Sequence, residues 1–257
     1  MAKLTPANKT STSSTESKPV VSEKLTEATT VEVSNGLRFC QEPNGNRSGE
    51  LPGCGLAFEV SPRKLKHTQK LEGLMGGSAG VGDYIEEAAL RLFSMLVVDC
   101  SEEIGKSETD RLNWLLNNVP EYPDGVYLVE VLFHGASANS GGVEIDRTEG
   151  NTIYFKSGHT VEISEDNERL AVFPVCGVKA RFRPALMGDS NAITRAMGGA
   201  KEKQNRPVEA IIRTMTRLCV SWDGGNATMS MIADIDEGED SQYLAEIYAS
   251  FRTTKAS

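Results

Sequence analysis

An α+β protein made of two tandem copies of one small unit is what this sequence predicts, and three observations carry the prediction. Two long stretches match one another at a fixed separation, each begins with short alternating runs of β type, and each ends in segments of helical periodicity. Each copy therefore reads as a short antiparallel β-sheet followed by a cluster of α-helices.

The repeat is anchored by LPGCGLAFEVSP, starting at Leu51, against FPVCGVKARFRP, starting at Phe173, where Pro52, Cys54, Gly55 and Pro62 meet Pro174, Cys176, Gly177 and Pro184 at a separation of 122. The same separation aligns Met75-Gly76-Gly77 with Met197-Gly198-Gly199, Glu87, Ala88 and Arg91 with Glu209, Ala210 and Arg213, and Leu96 and Val98 with Leu218 and Val220. Further on, DGVYLVE from Asp124 matches DSQYLAE from Asp240 at a separation of 116, so the second copy has lost six residues, which is read as loop shortening. Four segments follow: a disordered polar leader over 1–30, the first repeat over 31–135, a linker over 136–142 (ASANSGG) and the second repeat over 143–257.

The leader is rich in Ser, Thr, Lys and Glu and too poor in large apolar residues to offset chain entropy. In the first copy, VEVSNGLRFC places β-type runs either side of an Asn35-Gly36 turn, and GLAFEVS alternates apolar and polar residues. A helix carrying Leu65, Leu71, Leu74 and Met75 on its apolar face closes at Gly76-Gly77. A second helix is predicted from about Asp83 to Val98, with Ile85, Ala88, Ala89, Leu92, Met95 and Leu96 on one face. SETDRLNWLLNN, from Ser107, opens with N-cap and first-turn residues before Leu112, Trp114, Leu115 and Leu116, which predicts a third helix with those four buried. GVYLVEVLF, after Asp124, is ambiguous between helix and strand by itself; its counterpart SQYLAEIYASF has better helix formers and decides for helix. The second copy opens with three short strands parted by Glu149-Gly150 and Ser157-Gly158 turns, and repeats the helical plan from Leu186 to Phe251.

Composition narrows the function. The chain has 257 residues, 39% hydrophobic and 25% charged, and no apolar run approaches the ~18–20 residues of a membrane span. A net charge of −9 argues against sequence-independent nucleic-acid binding, which depends on Lys and Arg displacing counterions. Five cysteines, odd in number and never spaced C-x-x-C, read as free and mostly buried thiols of a reducing cytosol.

Recognisable catalytic patterns are missing. GGSAGVGD, Gly76 to Asp83, precedes a helix but has no following Lys-Ser/Thr and no G-x-G-x-x-G register, so it reads as a flexible inter-helix loop. His67, His134 and His159 have no metal-ligand spacing, and the outline of a zinc knuckle in YFKSGH lacks both thiols and reads as a β-turn. DIDEGED, Asp234 to Asp240, fails the calcium-loop spacing and reads as a solvated loop capping the last helix. No catalytic residue, cofactor or metal is expected, and the in-register Cys54 and Cys176 read as packing positions.

LPGCGLAFEVSPRKLKHTQKLEGLM, IEEAALRLFSMLVVDC and TDRLNWLLNNVPEYPDGVYLVEVLFHGASANSGG resemble the baseplate-hub assembly proteins, or tail assembly chaperones, of contractile-tailed bacteriophages. The likeness covers about Leu51 to Ile145 and Phe173 to Phe251. It departs from the family pattern in the second helical copy and the polar leader. The resemblance implies a non-enzymatic role in the host cytoplasm, binding a hub or tape-measure component of the tail or baseplate. A baseplate subunit retained in the virion and an enzyme with a site near Gly76–Gly82 are the alternatives. Tyr127, Leu128, Tyr243 and Leu244, on equivalent helices, are the candidate partner contacts, weighed against a core role that their helical spacing favours.

Overall fold

The computed structural model describes residues 27–33, 36–134 and 143–251; the greater part of the leader, Asn35 and the 136–142 linker lie outside them. The first copy opens as an antiparallel meander of β1 (Thr29–Glu32), β2 (Arg38–Gln41), β3 (Arg47–Glu50) and β4 (Ala57–Val60). Three helices follow, α1 (Leu65–Met75), α2 (Ser78–Asp83) and α3 (Ile85–Leu96). The chain then passes directly into β5 (Val97–Cys100), which pairs antiparallel with β4 and completes a five-stranded sheet. Helix α4 (Glu108–Asn118), a π-helical turn (Glu121–Gly125) and α5 (Val126–Phe133) close the copy.

The second copy repeats this plan behind one extra edge strand, β6 (Ile145–Glu149). Its β7 (Thr152–Phe155), β8 (Thr160–Ile163), β9 (Arg169–Val172), β10 (Lys179–Phe182) and β11 (Cys219–Trp222) form with β6 a six-stranded antiparallel sheet in the order β11-β10-β9-β8-β7-β6. Its helices are α6 (Met187–Ala196), α7 (Ala200–Asn205), α8 (Pro207–Leu218), α9 (Met229–Ala233) and α10 (Glu239–Ser250). The fold is therefore two tandem α+β units, each a sheet followed by helices.

The likeness between copies extends to atomic detail. Asp124 is fully buried and its carboxylate accepts from the backbone N–H groups of Gly53 and Cys54 (2.9 Å to Cys54), while Asp240, equally buried, accepts from Val175 at 2.8 Å and Cys176 at 2.9 Å. Tyr127 donates its hydroxyl to the Arg38 carbonyl at 2.5 Å, and Tyr243 to the Thr160 carbonyl at 2.6 Å. A β-bulge falls between Glu59 and Val60 and again between Arg181 and Phe182, at the same place in each sheet. Gly55 and Gly177 adopt φ of 74° and 72° in the turn that the buried carboxylate holds, a backbone conformation that favours glycine.

Several expectations need correction. Val97 and Val98 do not extend the second helix: the chain leaves it there, Val97 pairs with Val60 at the open edge of β4 and Val98 falls in the bulge, and Cys219–Trp222 does the same against β10 in the second copy. The glycine-rich segment Gly76–Gly82 is not a loop, because Gly76 ends α1 in the left-handed region and the chain re-enters helix at Ser78. The loss of residues in the second copy shows as a shorter helix, five residues in α9 against eleven in α4.

Leu74 and Leu116 are 52% and 56% exposed and not on buried faces, and only Leu115 of the α4 set is fully buried. No cysteine is fully buried; Cys54 and Cys176 are exposed in the turns before β4 and β10, and Cys40, Cys100 and Cys219 are half-buried.

Each copy has its own core. Phe58, Phe93, Leu92, Leu115 and Leu128 centre the first, and Phe173, Phe182, Ile212, Met215 and Leu244 the second. One residue crosses over: Leu65, at the start of α1 in the first copy, is 6% exposed within the core of the second.

Candidate functional site

The crossing of Leu65 marks a seam between the copies. The strand-to-helix corner of the first copy, Pro62–Thr68, lies along the α9–α10 connection of the second. Leu65 donates its backbone N–H to the Ile235 carbonyl at 3.0 Å and Glu237 donates to the Arg63 carbonyl at 2.7 Å, a small antiparallel bridge. Arg63 forms an ion pair with Glu237, both side chains about nine-tenths buried, and its guanidinium stacks 5.1 Å from the centre of the Phe133 ring. Thr68 donates its hydroxyl to Glu237 at 2.7 Å, and Lys64 and Lys66 meet Asp234 at 3.3 and 2.5 Å.

The acidic run Asp234–Asp240 is therefore not simply a solvated loop. Asp234 and Glu237 receive the first copy's cations, and Asp240 holds the Val175–Cys176 turn.

Alongside the seam opens a cleft of about 620 Å³, within the size range of ligand and peptide-side-chain sites. Leu65 from the first copy and Val208, Ile211, Leu244 and Ala245 from the second line its apolar part. The charges on its rim are paired: Arg63 with Glu237, Lys156 with Glu144, and Glu246 with His159 at 2.7 Å. Such a cleft suits a neutral, apolar occupant, since an added charge would have to displace an existing partner.

Two titratable groups hold raised pKa values, Glu72 at the seam and His159 within the second copy. Glu72 on α1 is 3% exposed, and its Oε2 has no hydrogen-bond partner. Burial, with the nearby carboxylates of Glu237 and Glu209, pushes its pKa up to about 7, against the pull of the Val208 N–H and Arg206. His159 moves the same way: burial opposes its charge, but Glu246 and Glu239 outweigh burial and raise its pKa. Both groups hold protons more tightly in the folded chain than in the unfolded one. The stability each lends is full below its unfolded pKa and is lost as pH rises through the folded value.

Stability is expected to fall as pH rises from about 4.5 to about 7 through the Glu72 contribution, with His159 adding to the fall above pH 6.5, and Glu72→Gln should raise it at pH 8 by about 2 kcal/mol while changing little near pH 4. Urea denaturation at the two pH values checks this. A Gln variant with the wild-type pH slope would contradict it.

The four sequence-derived contact candidates lie in the cores. Tyr127 and Leu128 are 1% and 0% exposed, Tyr243 and Leu244 3% and 0%. Their helices lie against the sheets, and their side chains fill the space between, so they present no common outer surface. Leu244 alone of the four lines the cleft.

Of the histidines, His67 sits at the start of α1 and accepts the Lys64 N–H at 3.0 Å on Nδ1; burial and the two flanking lysines lower its pKa to about 4, so it stays neutral. Among the described residues, no group of three or more His, Cys, Asp or Glu is placed to hold a metal ion, and no helix is long and apolar enough to cross a membrane.

Sequence reasoning missed Arg63, Leu65, Glu72, Asp234 and Glu237. A signal for them was present within the repeat: at the separation of 122, Arg63, Lys64, Lys66 and Glu72 stand opposite Ala185, Leu186, Gly188 and Thr194. Here those four charges, present in only the first copy, lie where the copies meet. Compared with known proteins, the chain matches no family model, no curated protein and no solved structure.

Proposed function

We propose that this chain is a non-enzymatic assembly protein of a contractile phage tail or baseplate, which holds a neutral apolar segment of a hub or tape-measure component in the cleft beside its seam. The observation that carries the reading is the cleft itself, built by both copies, apolar within and charge-neutralised at the rim. The resemblance of LPGCGLAFEVSP and the helical segments after it to tail assembly chaperones supports the choice of partner. Duplication supports it as well, because two related units joined in one chain can enclose a segment that neither would hold alone.

The test is affinity capture from phage-expressing cells with tagged full-length chain, with mass spectrometry of both soluble lysate and finished particles. The reading expects tail or baseplate proteins with the bait in lysate and no bait in particles. It also expects Ala245→Glu, which puts a charge against the apolar lining, to lose at least about tenfold in capture with an unchanged melting temperature. Bait built into particles would make the chain a virion subunit, and capture of no tail protein would remove the assignment.

A further inference from the structure

The seam is head-to-tail. On the first copy it uses the corner after β4 and helix α1; on the second it uses the α9–α10 connection and the start of α8. If the copies were related by a two-fold axis, the equivalent corner of the second copy would also lie on the equivalent connection of the first. It does not. Among the described residues, the hydrogen bonds and ion pairs of 183–197 stay within the second copy, where Asp189 gathers Arg183 and Arg217.

The glycines report the same asymmetry. A Cβ on Gly77 would meet the Asn205 carbonyl oxygen at 2.6 Å across the seam, whereas its counterpart Gly199 faces open space.

Each chain is thus left with one unused half of each kind. The free corner is Ala185–Leu186 and the start of α6, counterpart of Arg63–Lys64 and the start of α1. The free receiving segment is Asn118–Glu121, counterpart of Asp234–Glu237 at the separation of 116. The bridge made by Leu65 N–H, Ile235 carbonyl, Glu237 N–H and Arg63 carbonyl is main-chain only. Its counterparts, the N–H groups of Met187 and Glu121 and the carbonyls of Val119 and Ala185, need no proline N–H, so Pro120 does not block it.

The side chains of the free halves are uncharged where the seam's lysines and Asp234 are charged. At the same separations Lys64 and Lys66 give way to Leu186, 65% exposed, and Gly188 on the corner, and Asp234 gives way to Asn118, with Leu116, 56% exposed, close by on the last turn of α4. Those charges of the internal seam are thus replaced by uncharged residues, with one exposed leucine on the corner and one beside the receiving segment.

We infer that the free corner of the second copy docks on the free Asn118–Glu121 segment of the first copy in another molecule of this chain, repeating the internal seam between chains. A head-to-tail contact of this kind closes into a ring or extends as a filament, depending on the rotation per step.

Sedimentation velocity on the full chain, from micromolar to millimolar and with salt to screen its net charge of −9, tests the inference against Leu186→Glu and Leu116→Glu. Both substitutions fall on exposed side chains and leave the two cores intact. Wild type is expected to exceed two chains as concentration rises, and each variant to stay near 27.8 kDa. An equimolar mixture of the variants should stop at pairs, because only one intact corner and one intact receiving segment then meet. A wild-type chain that stays monomeric throughout, a variant that assembles like wild type, or a mixture that forms no pairs would each overturn the inference.

Discussion

Asp240→Ala is expected to destabilise the chain by about 3 kcal/mol, lowering the melting temperature by roughly 6–12 °C for a protein of this length. The side chain is 1% exposed and accepts two backbone N–H groups, from Val175 at 2.8 Å and Cys176 at 2.9 Å, in the turn between β9 and β10. Hydrogen bonds to a carboxylate are stronger than those between neutral groups, and their removal leaves the N–H groups facing a void where water cannot fully replace the carboxylate. Asp124 makes the same pair of contacts to Gly53 and Cys54, so Asp124→Ala should cost a similar amount. Asp→Asn at either position should cost less, because one acceptor oxygen remains. Urea denaturation of the four variants measures this; an Asp240→Ala loss below about 1 kcal/mol would mean that the turn stands without the carboxylate.

Arg63→Ala is expected to cost about 3–5 kcal/mol and to part the unfolding of the two copies. The substitution leaves Glu237 about nine-tenths buried without its cation, with Thr68 still donating to it, and removes the stacking on Phe133. Removing both charges should be milder, because the penalty lies chiefly in the uncompensated carboxylate; Arg63→Ala/Glu237→Ala should recover at least about 1 kcal/mol relative to Arg63→Ala. Scanning calorimetry reads both effects, with one transition in wild type and two in Arg63→Ala. A single unshifted transition in Arg63→Ala would show that the ion pair does not couple the copies.

The reach of the sequence follows from which forces are local. The repeat was legible because matched turns need matched residues: Gly55 and Gly177 at positive φ, and Asp124 and Asp240 beneath the turns, recur for the same mechanical reason. The Ser107 N-cap of α4 was legible too, since its hydroxyl accepts the Asp110 N–H at 3.1 Å within one turn of chain. Strand β5 was not, because Val97-Val98 continues the apolar run of α3 and only the distant edge of β4 decides that the chain pairs there as a strand. The seam was the least legible, since it joins Arg63 to Glu237 and Lys66 to Asp234 across most of the chain. Tyr127, Leu128, Tyr243 and Leu244 have the helical spacing of a buried face, and that is where the structure puts them.

The most direct test of two copies joined head-to-tail through Pro62–Thr68 and Asp234–Glu237 is zero-length carbodiimide cross-linking of the dilute full chain, read by peptide mass spectrometry. Lys66 and Asp234 lie 2.5 Å apart and Lys64 and Asp234 3.3 Å, so at least one of these links is expected, and Lys66→Gln with Lys64→Gln should abolish it. Absence of any link between these two segments, with links formed elsewhere such as Lys70 to Glu108, would contradict the seam and with it the cleft on which the functional reading stands.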